Sequence, residues 1–297
     1  MRNLGLIVAA LVVLGAPFRA QTRDAAAILA DMRQALGGAA VLDGIHSFSV
    51  RGTVRENRGG HSNSMSLDLS VVLPDHYLEV RRDSRSGGPM PLDVTYYSGF
   101  RGDTLIRRTD ANIPFPPDPG PNTPAAIAQR ERAITLKNKQ KFARLALILF
   151  GRPFSSYPLQ FNLLGATQWD GRTVEVLEAT AADGYKMRLS VDATTHLPAM
   201  LSYLAEEPVI VSTSSTVTMR GDQVVSRSDG PMPAVPSTTG LPKVEQSMVP
   251  SEFKPQDGVT WPRRLKEFVA GKVVRDVDFG KFRVNPSIDL KRFDIGR

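Results

Sequence analysis

Catalysis and metal binding need particular side chains at particular spacings, and few of those spacings occur in this chain. The four histidines, His46, His61, His76 and His196, are dispersed. None belongs to an HExxH pair or has a second ligand four residues away, so they read as surface and turn residues rather than a metal site. The chain has no cysteine, which excludes disulfides, a thiol nucleophile, cysteine-ligated zinc and a cysteine-linked lipid anchor. Neither a G-x-S-x-G elbow nor a phosphate-binding glycine loop is present. Arg58-Gly59-Gly60-His61-Ser62 has the look of an oxyanion loop, but between two alternating segments it is more simply a hairpin turn. Carboxylates such as Asp68, Asp93 and Glu175 have no spacing that pairs them for acid–base work. The sequence therefore predicts no catalytic residue, metal or cofactor, and a protein that is not an enzyme.

One further pattern has chemical content. Residues 129–144 (QRERAITLKNKQKFAR) carry Arg130, Arg132, Lys137, Lys139, Lys141 and Arg144 against the single acid Glu131, and LALILF follows at 145–150. A basic helix running into an apolar end can lie on an anionic membrane or meet an acidic membrane-protein partner. It can equally plug the mouth of a sheet, apolar end inward and charged part in water. The chain has 37 Lys+Arg against 30 Asp+Glu, which suits anionic partners in general. Its basic residues form no RNA-binding motif, so nucleic acid is not an expected partner.

The elements that must position these residues are mostly strands. Arg2, the apolar run at 4–16 and Ala20 read as a signal peptide over 1–20, with cleavage after Ala16 or retention as an anchor as alternatives. Removing it takes away Arg2 and Arg19 and no acid, so the remainder stays basic. No later stretch reaches the roughly 18 apolar residues of a membrane span, and an exported, periplasmic, soluble chain is expected. Asp24 can cap a short helix with Ala25, Ile28, Leu29, Met32 and Leu36 on one stripe, ended by Gly37-Gly38. From Ile45 the period becomes two. Phe48, Val50 and Val54 alternate with polar residues, as do Met65, Leu67, Leu69, Val71 and Leu73. Further strands are expected over 76–82, 92–100, 173–179, 185–191, 197–204, 209–219, 243–253, 260–269 and 273–283, making ten or eleven in an antiparallel sheet, sandwich or barrel. The proline-rich stretch 112–124 and the Pro/Gly/Ser/Thr-rich stretch 228–242 read as loops within one sheet, and 124–150 as the one long helix.

Ten strands about 20 Å long present roughly 900–1,000 Å² per face, whereas the two helices cover roughly 600 Å². The sheet must close on itself or curve into an open half-barrel with room for an apolar ligand. By alternation, Met65, Leu67, Leu69, Val71, Tyr185, Met187, Leu189, Leu197 and Leu201 would line that concave face.

Three segments, VLPDHYLEVRR (72–82), GRTVEVLEATAADGYKMRLSVDATTHLPAML (171–201) and DGVTWPRRLKEFVAGKVVRDVDFGKFRVNPSIDLKRFD (257–294), resemble the LolA-like outer-membrane lipoprotein-sorting proteins. The shared elements are "LPD.Y" after an apolar strand, "D..T.LP" between two strands, and a "DGV..P" hairpin closing with "VNP.ID...F". The resemblance implies a curved antiparallel half-barrel, plugged by helices, that shields acyl chains in the periplasm. It suggests one LolA-like domain over 21–297 with insertions near 112–150 and 205–242. The function it implies is a carrier for a lipid acyl chain or a lipidated protein, possible between membranes. A periplasmic sensor or envelope interaction domain of the same fold is the alternative, and an exported hydrolase has the least support.

Overall fold

The computed structural model describes residues 24–58, 61–85, 92–112, 123–206, 217–220, 223–227 and 242–295. The signal-peptide reading, the Gly59-Gly60 turn, most of the proline loop at 112–124, residues 209–216 and residues 228–241 lie outside these.

Twelve strands form one antiparallel sheet. In chain order they are β1 (Ser47–Arg58), β2 (His61–Val72), β3 (His76–Arg85), β4 (Leu92–Arg101), β5 (Thr104–Ala111), β6 (Leu159–Trp169), β7 (Arg172–Ala181), β8 (Lys186–Asp192), β9 (Pro198–Glu206), β12 (Lys243–Gln256), β13 (Val259–Val269) and β14 (Lys272–Val284); a separate hairpin pairs β10 (Val217–Arg220) with β11 (Gln223–Arg227). The spatial order is β5-β4-β3-β2-β1-β14-β13-β12-β9-β8-β7-β6. Two meanders thus meet where β14 returns to pair with β1, and β5 and β6 are the unjoined edges. The sheet is a curved, open half-barrel, as the sequence predicts. Part of its bend comes from the β1/β14 seam, where the register shifts between Arg51 and Gly52. A Cβ on Gly52 would stand 2.0 Å from the Asp278 carbonyl oxygen, so the two backbones can cross this closely only at glycine.

Three helices complete the fold. Asp24 caps α1 (Ala25–Ala35) by accepting from the Ala27 amide at 2.8 Å, and α2 (Ala39–Asp43) follows. The long α3 (Pro124–Phe150) starts at Thr123, whose hydroxyl accepts from the Ala126 amide, with proline in the first turn. It ends at Gly151, which takes the left-handed conformation (φ 60°) that favours glycine. In the chain α3 connects β5 to β6, the two edges. Its buried positions follow a stripe through Thr135, Asn138 and Phe142, then include every residue of 145–150. The last turn and a half is therefore driven into the core while the rest lies across it.

The main core joins α1, α3 and the inward sheet face in one cluster. A second, small cluster lies on the outer face. There Phe293, in the 3-10 turn Leu290–Phe293 of the C-terminal arm, covers Leu78 and Ile106.

Two strands of the main sheet go beyond the sequence expectation. β5 and β6 are its edges, β5 exposed at half of its positions and β6 at most, so neither carries a sustained apolar alternation; in β6 only Leu159, Phe161 and Leu163 pack on the core. The two prolines of β12 are accommodated for a related reason. Pairing with β9 ends at Met248, so Pro250 and Pro255 meet only β13 and no ladder bond is lost on their other side.

Candidate ligand-binding face

The nine residues expected to line the concavity all belong to the main core or pack on it. Met65, Leu67, Leu69, Val71, Met187, Leu189 and Leu201 are buried, and Tyr185 and Leu197 pack against the same cluster. What faces them is α3. At its C-terminal end Phe150 sits edge-on to Phe48 (ring centroids 5.3 Å) and to Trp261 (5.7 Å), and Trp261 stacks on Phe282 at 4.4 Å. Phe142 stacks on Phe154 at 5.3 Å and leans on Tyr77. The concave face is thus continuous and apolar beneath this half of the helix, and full.

Beneath the preceding turns the same face is charged. Register places Tyr77, Glu79 and Arg81 of β3 opposite Val71, Leu69 and Leu67 of β2, and Arg275 of β14 between Glu56 of β1 and Glu267 of β13. Glu79, 3% exposed, is the hub. Its Oε1 accepts from Arg275 Nη2 at 3.1 Å and lies 3.3 Å from Arg81 Nε; its Oε2 accepts from Lys141 Nζ at 2.6 Å and from the Tyr77 hydroxyl at 3.0 Å. Arg81 also pairs with Glu56, and Arg275 Nη1 donates to Glu267 at 3.1 Å. Burial alone would raise the Glu79 carboxyl, yet Lys141, Arg275 and Arg81 together hold it well below the usual carboxylate range. For Lys141, burial lowers the pKa, Glu79 pulls it back up, and Arg275 and Arg81 push it down again. Tyr77, Glu79, Lys141, Glu267 and Arg275 rim, with Leu145, a cavity of about 20 Å³, room for about one water molecule.

The other cations of α3 also find partners within the molecule. Lys137 bonds Glu206 at the end of β9 (3.1 Å) and Lys139 bonds Asp103 in the β4–β5 turn (2.5 Å). Arg144 donates to the Tyr185 hydroxyl at 2.6 Å with its guanidinium 4.1 Å from the Tyr203 ring centroid. Burial and the Arg144 charge act oppositely on Tyr203, and burial dominates, pushing its hydroxyl up to about 12. Arg132 bonds the Ala128 carbonyl of its own helix, and Arg130 is also engaged. Two neutral contacts join these: Asn138 donates to the Gly99 carbonyl at 3.1 Å and Gln140 to Asp183 at 3.2 Å. The helix therefore straps the β3–β5 wing to the β7–β9 wing. The basic residues singled out in the sequence are brought together on one helix, with Lys139 and Lys141 turned toward the sheet. Glu56, Glu79, Arg81, Glu267 and Arg275 escaped the sequence reading.

The histidines stay apart. His76 contacts Asp75 at 2.7 Å and the Phe293 ring, and His196 occupies the turn before β9. Among the described residues no three His, Asp or Glu side chains gather into a metal cage.

Several solved structures align with this chain over most of its length. A LolA superfamily protein from Nitrosomonas europaea aligns over 91% of this chain and 97% of its own at 14% identity and a TM-score of 0.46. A DUF1329 family protein from Desulfovibrio piger and a Vibrio parahaemolyticus domain named for outer-membrane lipoprotein sorting each align over 90% of this chain and 94% of theirs, at 12% identity and a TM-score of 0.45. No family model and no curated protein matches the chain.

Proposed function

We propose that the chain is an exported, non-enzymatic carrier that holds a lipid acyl chain, alone or on a lipidated protein, against the concave face after α3 lifts. One observation supports it above others: an apolar concave face crossed by a helix whose residues 137–144 are held to the sheet by exchangeable polar contacts. Each buried CH₂ of an acyl chain contributes about 0.8 kcal/mol, so such a face needs no specific polar chemistry to retain one. Residues 1–20 supply export in this reading. Among the described residues no helix is long and apolar enough to cross a membrane.

The test uses the absence of native cysteine. Ser98 and Asn138 touch across the sheet–helix seam (3.4 Å between side-chain oxygens), so S98C/N138C places a disulfide between α3 and β4. Uptake of a fluorescent fatty acid is expected to stop in the oxidised form and return on reduction. No uptake by the unmodified chain, together with no lipid recovered from protein purified from the producing cell, would sink the carrier reading.

A second reading, a periplasmic sensor or envelope interaction domain, has β6 on its side. This edge pairs with β7 alone among the described strands and leaves Leu164 52% exposed, an open ladder of the kind that accepts an added strand.

A further inference from the structure

Resting on the carrier reading, we infer that the opened face selects an amphiphile with a primary ammonium head, which takes the place of the Lys141 ammonium on Glu79. The sheet's own contribution to the buried cluster is three carboxylates, Glu56, Glu79 and Glu267, and two guanidiniums, Arg81 and Arg275. The third cation, Lys141, belongs to α3. Arg144, also on α3, acts on Glu267 from further along the helix. Lifting α3 removes both and leaves Glu79 Oε2 without its cation on a face otherwise made of Leu67, Leu69, Met248, Leu265, Val277 and Phe279. An uncompensated charge there is strongly unfavourable, so the open state is stabilised most by a ligand that brings a cation with its chain.

The vacancy is specific to one atom. Oε1 of Glu79 keeps both guanidiniums, whereas Oε2 loses its 2.6 Å ammonium and retains the Tyr77 hydroxyl. An alkylammonium is isosteric with what left: a tetrahedral N–H donor on a methylene chain. A carboxylate head would meet Glu79 instead. Arg81 is committed to Glu56 and Glu79, and Arg275 to Glu79 and Glu267; the remaining Arg275 Nε has no hydrogen-bond partner and lies 3.9 Å from Glu56. In the closed state the cavity of about 20 Å³ excludes any such ligand, so head-group selection and helix displacement are one event.

Binding of dodecylamine, dodecanoic acid and dodecanol to the full chain, by calorimetry below their micelle concentrations at about pH 7, tests this. The amine is then protonated, as a lysine is. Dodecylamine is expected to bind about ten-fold or more tightly than dodecanoate, against the general attraction of a basic chain for anions. In Glu79→Gln the ratio of amine to acid affinity should fall to about one. Where that variant does not fold, Lys141→Met serves: it empties the Oε2 position and should raise amine affinity about five-fold or more without raising that for dodecanoate. Equal binding of all three, a preference for the acid, a preference that survives Glu79→Gln, or no gain in Lys141→Met overturns the ammonium assignment and leaves the carrier reading standing. Failure of all three to bind overturns both.

Discussion

Residues 145–150 of α3 are buried on every side among Phe48, Phe154 and Trp261, whereas residues 137–141 of the same helix meet the sheet through nitrogen and oxygen atoms. Burial is non-directional and has no aqueous substitute for a displaced phenyl ring. A polar contact does have one, since water or a ligand head can take either partner; at the buried Glu79 that replacement must itself bring a cation. A helix fixed in these two ways has a pivot at one end and a releasable seam at the other. The open state of the carrier reading therefore keeps the C-terminal turn in place and frees the preceding turns.

The largest break in this contrast is at the pivot. Phe150→Ala removes a fully buried ring and should cost about 3–5 kcal/mol in denaturant unfolding; a loss no greater than that of a seam substitution would erase the distinction. Next is pH. The Glu79 carboxyl is depressed in the fold, so its stabilisation is present above its unfolded value near 4.5 and is lost as pH falls below that toward the folded value. Stability should decline by up to about 1.4 kcal/mol per pH unit from this one group, and a Glu79→Gln chain should lack that portion of the slope. Identical acid profiles would show that the cluster does not hold the seam. The smallest effect is expected at Asp103, 98% exposed at its side chain. Asp103→Asn should leave the unfolding midpoint unchanged and speed amide exchange only in the residues around Lys139. A clear stability loss would mean that the outer turns are fixed as firmly as the pivot.

Local signals explain how much of this could be read in advance. α3 runs from a proline-started turn to a glycine stop, so both bounds are written within a few residues of the ends. The lining leucines and methionines follow from alternation, because β2 and β8 have one apolar face each. β3 breaks that logic. Its inward positions are Tyr77, Glu79 and Arg81, while Leu78 and Val80 turn outward into the small cluster beneath the C-terminal arm. Alternation in HYLEVRR points Leu78 and Val80 toward the core and the charges toward water, the reverse of the structure, until the arm is known to cover the outer face. The cluster itself joins residues 196 positions apart (Glu79 and Arg275) and 62 apart (Glu79 and Lys141). No spacing rule reaches that far; the strand order that brings β14 beside β1 does. β5 and β6 were hidden for the opposite reason, since a mostly solvated edge displays only a short apolar face, in β6 the three residues Leu159, Phe161 and Leu163.

The chain order of the two edges has a mechanical consequence. β5 and β6 share no hydrogen bonds, yet α3 is covalently continuous with both. At 27 residues and about 1.5 Å per residue it forms a chord about 40 Å long. Around its perimeter the half-barrel is thus a loop closed by the chain itself, hydrogen-bonded through the sheet and covalent across the gap between its edges. In the carrier reading a guest therefore enters end-on, over the rim where the polar seam parts.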